Sequence, residues 1–340
     1  MSFKRFDPQD IVISAESITS PVWSNSVIEL STFFTSSAQV AGASGAYYYN
    51  IYQTASDDTT AAVQFSVAYG DIVGSGSLDF NTAVAGASPS KTIYGQYRSL
   101  VLGDEEGKFI FGSETGSHFY VISLDRARYK EKLLPGTFSL LLSGSGEDVL
   151  LNLTDNSQVA TTTNFNDAGR VFEVVSGSLG DVYTGVSETG HSAGSGSYGF
   201  FLPDIGVIIL NGKALDASAA DGGLNLGTVR TANTEGSGSE KIFEAIKNGG
   251  SFKLNSEETI SSNFVFVRAR NAEFNYSSNP SNTTGSGELR HNVMVNNPQS
   301  YATAVGLYND NNDLLATAKL SRPLLKDFTK EALVRIKLDF

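Results

Sequence analysis

Apolar and alternating stretches in this chain stop at the length of a β-strand, and turn-forming residues bound nearly all of them. The runs lie at 46–52, 62–69, 119–124, 137–142, 201–210, 263–270, 302–307, 314–320 and 333–340. Runs of four to ten residues, rich in β-branched and aromatic side chains and separated by Gly, Ser, Asn and Pro, specify strands joined by turns. The 34 glycines, 21 phenylalanines and 14 tyrosines fit the same pattern, because aromatic residues pack well on pleated surfaces and glycine accepts the backbone angles of tight turns. Helix signals are few. The string SEKIFEAIKNGG predicts a helix over 240–248, with Ser239 as its N-cap, Ile242, Phe243 and Ile246 on one face, and Gly249 as its stop. The segment 124–134, closed by Pro135 and Gly136, reads equally as a short helix or as an extended arm. The expected class is therefore all-β, mainly antiparallel sandwiches, with one or two short helices.

At 340 residues the chain can hold one large domain or two to three modest ones. Its two longest polar stretches, 154–169 and 214–235, suggest three regions: 1–155, a Gly/Ser/Asn-rich middle at 156–235, and 236–340 ending in a hairpin. Gly-Ser strings recur at irregular spacing and read as hairpin tips. The chain has no cysteine, which excludes disulfides, thiol nucleophiles and thiolate metal sites. A formal net charge of −12 repels phosphate backbones and anionic membranes, so neither nucleic acid nor a membrane is an expected partner. Asp7, Pro8 and Asp10 stand where a signal peptide would place its apolar core, and export by that route is not expected.

Residue patterns for chemistry are sparse. His118, His191 and His291 lie far apart in sequence, and no nucleophile-elbow motif occurs. The string GSGSYG at 194–199 matches the letters of a dinucleotide fingerprint but runs into FFLPDIGVIIL, which reads as strand where the fingerprint needs a helix. NDNND at 309–313 lacks the ligand and glycine positions of a calcium loop and reads as a hairpin turn, with Val305 and Leu307 facing the core beside Leu315 or its neighbours. No enzymatic activity, cofactor, metal or small-molecule substrate is expected. The cluster Tyr47, Tyr48, Tyr49 and Tyr52 offers large faces with polar tips, suited to packing or to stacking on a sugar or a partner.

Two stretches go further than composition. FVFVRARNAEFNYSSNPSN at 264–282 and YATAVGLYNDNNDLLATAKLSRPLLKDFTKEALVRIKLDF at 301–340 resemble the C-terminal region of virion structural proteins of T4-like contractile-tailed bacteriophages, the cyanophage type in particular. TIYGQYRSLVLGDEEGKF at 92–109 and RARYKEKLLPGTFSL at 126–140 are similar to the same family. The resemblance implies a structural subunit of the tail, at the baseplate or near the neck. Such a subunit would assemble in the host cytoplasm into the virion, with other virion proteins and copies of itself as partners. It brings no catalytic residues. The alternative is a carbohydrate-binding fibre or lectin-like module of the virion. The candidate interface residues are Arg268 and Arg270, which alternate with apolar residues on one strand, Tyr47 and Tyr49 of the aromatic cluster, and Arg335 and Phe340 of the last strand.

Overall fold

The computed structural model describes residues 4–36, 48–74, 90–144, 149–183, 197–227 and 237–339. Among these residues the fold is mostly β, with large antiparallel sheets and four helices. The strands begin with β1 (Ile11–Pro21), β2 (Glu29–Leu30), β3 (Phe34–Thr35), β4 (Tyr48–Tyr52) and β5 (Val63–Asp71), before helix α1 (Ser90–Leu102). Next come β6 (Phe109–Phe111), β7 (Glu114–Gly116), β8 (His118–Leu124), β9 (Lys132–Leu133), β10 (Ser139–Ser143), β11 (Leu150–Asp155), β12 (Asn164–Asn166), β13 (Gly169–Ser178) and β14 (Asp181–Val182). Strands β15 (Gly199–Leu202) and β16 (Val207–Asn211) lead to helices α2 (Gly212–Asp216) and α3 (Ser237–Gly249). The chain continues through β17 (Ser251–Lys253), β18 (Asn255–Ala269), helix α4 (Val293–Asn296), β19 (Gln299–Tyr308), β20 (Leu314–Asp327) and β21 (Ala332–Asp339).

These elements form two compact units, a central one of Ile18–Glu258 and a terminal one built from Met1–Ser17 and Thr259–Phe340. The boundaries expected near 155 and 235 both fall inside the central unit. Asp155 pairs with Val174 across the β11–β13 ladder, and the apolar face of α3 shares a core with Leu140 and Leu142 of β10. Both long polar stretches are thus connections within one unit.

The central unit is organised by a sheet in the order β2-β17-β10-β11-β13-β15-β16-β8-β5-β4-β3. Its middle strands are apolar on both faces. Tyr120, Ile122, Ile208 and Leu210 enter one core cluster, while the alternating Phe119, Val121, Val207 and Ile209 enter another, with Tyr94 of α1 and Phe109 and Phe111 of β6. The sheet is also rolled. Phe65 on β5 and Phe252 on β17 stand seven strands apart in the order, about 34 Å if the sheet were flat, yet their rings lie 5.3 Å apart. Trp23, Phe138 and Phe201 fill the same interior.

Helix α3 exceeds its sequence expectation at the start. It begins by Ser237, so Ser239 is a buried residue of the first turn and not the cap. Ile242, Phe243 and Ile246 are buried as expected. The end is set by the glycine pair: a Cβ on Gly249 would lie 1.9 Å from the Leu141 carbonyl oxygen, and Gly250 takes φ +75°, which favours glycine. The segment 124–134 is the extended arm, containing only a single 3-10 turn at Arg126–Arg128 before β9. The run 201–210 is two strands, because Pro203 to Gly206 turns the chain between β15 and β16.

That turn is held by an ion pair. The Arg170 guanidinium donates to Asp204 Oδ1 through Nη2 at 2.7 Å and Nε at 3.1 Å, and the Arg170 backbone N–H donates to Oδ2 at 2.8 Å. Burial alone would push the Asp204 carboxyl up, but the hydrogen bonds and charge of Arg170 outweigh it and hold the pKa below 3.8. The lowered value stabilises the fold above 3.8 and is lost as pH falls through the folded-state value. Asp204→Asn should therefore cost about 1–2 kcal/mol at neutral pH. In urea titrations its gap to the wild type should narrow below pH 4; a gap that stays constant with pH would mean the charge is not what holds the turn.

In the terminal unit β18 lies between β1 and β21. The hairpin β19–β20 packs on one face of this sheet, through a core of three buried side chains, Val265, Leu307 and Ile336, joined by half-buried Val267, Val305, Ala316, Ala318, Val334 and Leu338. The segment 309–313 is the hairpin turn, where Asn309 Oδ1 accepts from the backbone N–H groups of Asn311 and Asp313. Leu307 and Val305 face the core, as the alternation predicts, and the residue that joins them is Leu315's neighbour Ala316. Leu307 pairs with Ala316 and Tyr308 with Leu314, so Leu315 is the extra residue of a bulge and stays 68% exposed.

Candidate functional site

The alternation in NFVFVRA gives β18 two unlike faces. Val265 and Val267 point into the hairpin core, and Phe264, Phe266 and Arg268 point the other way. The ladder with β21 sets Lys337 opposite Phe264, Arg335 opposite Phe266, and Leu333 opposite Arg268. The outer face of this sheet is therefore two half-buried phenylalanines, three cations and Leu333, which is 63% exposed. The Arg335 guanidinium sits 4.8 Å from the centre of the Phe264 ring and the Lys337 ammonium 5.9 Å from it, arrangements in which ring and cation attract.

Acidic residues balance part of this charge. Arg268 Nε lies 3.1 Å from Asp10, and Lys337 lies 3.2 Å from Asp339 and 3.6 Å from Glu16 of β1. The Asp339 hydrogen bond, with the charges of Asp339 and Glu16, pushes the Lys337 pKa up, and the Ser262 hydroxyl with Lys337 holds Asp339 down. Arg335 meets no carboxylate among the described residues. On the far side of β18, every residue of β1 from Ile11 to Ser20 is exposed, Ile13 at 73%.

The expected interface residues divide as follows. Arg268 and Arg335 share the outer face. Arg270 lies one residue past the end of β18, so strand alternation no longer aligns it with Arg268; its backbone N–H donates to the Glu273 carboxylate at 2.8 Å. Tyr49 belongs to the central unit, 1% exposed and stacked on Phe243 at 6.1 Å, which removes it from any surface. Tyr47 and Phe340 lie outside the described residues. Among the described residues of the aromatic cluster, Tyr48 is exposed and Tyr52 half-buried. The contribution of β1 was not anticipated, although its β-branched start, Ile11-Val12-Ile13, is a strand signal.

Of the three histidines, His191 lies outside the described residues and His291 is exposed. His118 is buried, its Nε2 3.0 Å from Asp216 Oδ2, which ties β8 to α2. Ser117 Oγ is 3.5 Å from His118 Nδ1, too long for an activating hydrogen bond. No group of three or more His, Asp or Glu among the described residues is placed to hold a metal ion, and no helix among them is long and apolar enough to cross a membrane. Gly199 of the GSGSYG string opens strand β15, not a helix. Comparison with protein-family models, curated proteins and solved structures gives no match.

Proposed function

We propose that this chain is an assembly subunit working through protein–protein contacts, and that its setting is the tail of a contractile-tailed phage, at the baseplate or near the neck. The observation that carries the reading is the imbalance of the terminal unit. Among the described residues only three of its apolar side chains are buried, while Ile11, Val12, Ile13, Tyr276, Tyr301, Leu314, Leu315, Phe328 and Leu333 are all exposed. Soluble monomers seldom leave so much apolar surface and two open strand edges uncovered, whereas partners that add a strand or cover a sheet face use both. The resemblance of 264–282 and 301–340 to virion structural proteins falls on this same unit and supports the phage setting.

The test is recovery of the chain in purified particles. Its expected result is a fixed copy number per virion and a higher melting temperature in the particle than for the free chain, because a partner that binds only the folded state stabilises it by mass action. Recovery in the soluble fraction alone, or equal melting temperatures free and assembled, would overturn the proposal.

A further inference from the structure

The two units differ sharply in charge. The terminal unit carries eleven Lys and Arg against ten Asp and Glu, and the central unit carries the remaining thirteen against twenty-six. Nearly all of the repulsion between copies of this acidic chain therefore comes from the central unit, and net charge of that size ordinarily keeps copies apart. The terminal unit, at a net +1, contributes none of it.

Within that unit the two sheet edges are unlike. The β21 edge carries Arg335, Lys337 and Asp339, the charged residues that ordinarily block edge-to-edge pairing. The β1 edge is unguarded: from Ile11 to Glu16 it holds Ile, Val, Ile, Ser and Ala with a single charge, no lysine and no proline. Among the described residues β1 pairs with β18 on one side only and is the outermost strand of its sheet.

We propose that two copies of the chain pair through the β1 edge, segment 11–16 against segment 11–16, antiparallel about a two-fold axis, so that the two terminal sheets become one continuous sheet. This deepens the assembly reading, on which it rests, by naming a second copy as one partner. A two-fold contact is self-complementary by necessity, and an antiparallel register centred anywhere but on Glu16 keeps the two Glu16 carboxylates apart. The contact consists of backbone hydrogen bonds and aliphatic side chains, so salt acts on it only by screening the repulsion between central units.

Sedimentation velocity of the full chain over a concentration series is expected to show a reversible dimer that tightens several-fold between about 0.05 and 0.5 M salt. Ile13→Lys should weaken the dimer at least tenfold, while Leu315→Lys, an equally exposed site on the hairpin bulge, should leave it unchanged. Hydrogen exchange should slow at alternate amides of 11–16 as concentration rises. A chain monomeric at every concentration, a dimer that weakens with salt, or equal effects of the two variants would each overturn the inference. A monomeric chain that still enters particles overturns the β1 pairing and leaves the assembly reading standing; a β1-dependent dimer absent from particles supports the pairing and removes the phage setting.

Discussion

Phe65→Ala is expected to destabilise the central unit by about 3–5 kcal/mol, the range for deleting a fully buried aromatic ring. Phe65 is wholly buried on β5, and its ring meets Trp23 at 6.1 Å, Phe33 at 6.3 Å and Phe252 at 5.3 Å. The Phe252 contact comes from a strand seven places away in the sheet order, so the ring bridges the two halves of the roll. Neighbours packed on both sides of the rolled sheet cannot collapse into the space without shifting strands, which puts the cost toward the upper part of that range. Trp23 is the only tryptophan, 2% exposed and in contact with Phe65, so its fluorescence reports on this unit during urea unfolding. Phe65→Leu, which keeps most of the volume, should cost about 1–1.5 kcal/mol. A loss below 1 kcal/mol for the alanine variant would mean that the sheet does not close on this ring.

The class of the fold was legible because strand periodicity is local: the runs at 62–69, 119–124 and 302–307 fall on β5, β8 and β19. Helix α1 was not legible. Its face of Tyr94, Tyr97 and Val101 is helical in spacing, but Thr92, Ile93 and the tyrosines favour strands and Gly95 interrupts the pattern, so packing over Phe109 and Phe119 decides the helix. The discontinuous terminal unit was hidden for a different reason. Joining 1–17 to 259–340 requires knowing that β1 pairs with β18, a contact some 250 residues apart that no local signal encodes. Arg268 was found by alternation and Arg270 misplaced by it, because the strand ends between them. Tyr49 was misread because a tyrosine is equally at home in a core and on a surface, and only its stacking on Phe243 separates the two.

Leu307→Asp is expected to unfold the terminal unit at neutral pH and leave the central unit intact. Leu307 is 8% exposed, paired with Ala316 and set against Val265 and Ile336, with no cation in that cluster to receive a carboxylate. An unpaired charge there costs several kcal/mol, more than a core of three buried side chains can absorb. Burial would raise the pKa of the new carboxyl, so the variant's deficit is smallest below the ordinary aspartate range, where only the lost packing and the neutral carboxyl count, and grows as pH rises through the raised value. Limited proteolysis should then cut within 259–339 at pH 7 and much less near pH 4, with the Trp23 unfolding transition in place at both. Since the exposed strands that carry the proposed assembly all belong to the terminal unit, the same variant should be absent from particles although its central unit is folded. Unchanged protease resistance at pH 7 would show that Leu307 does not face a core, and loss of the Trp23 transition together with the terminal unit would show that the two units unfold as one.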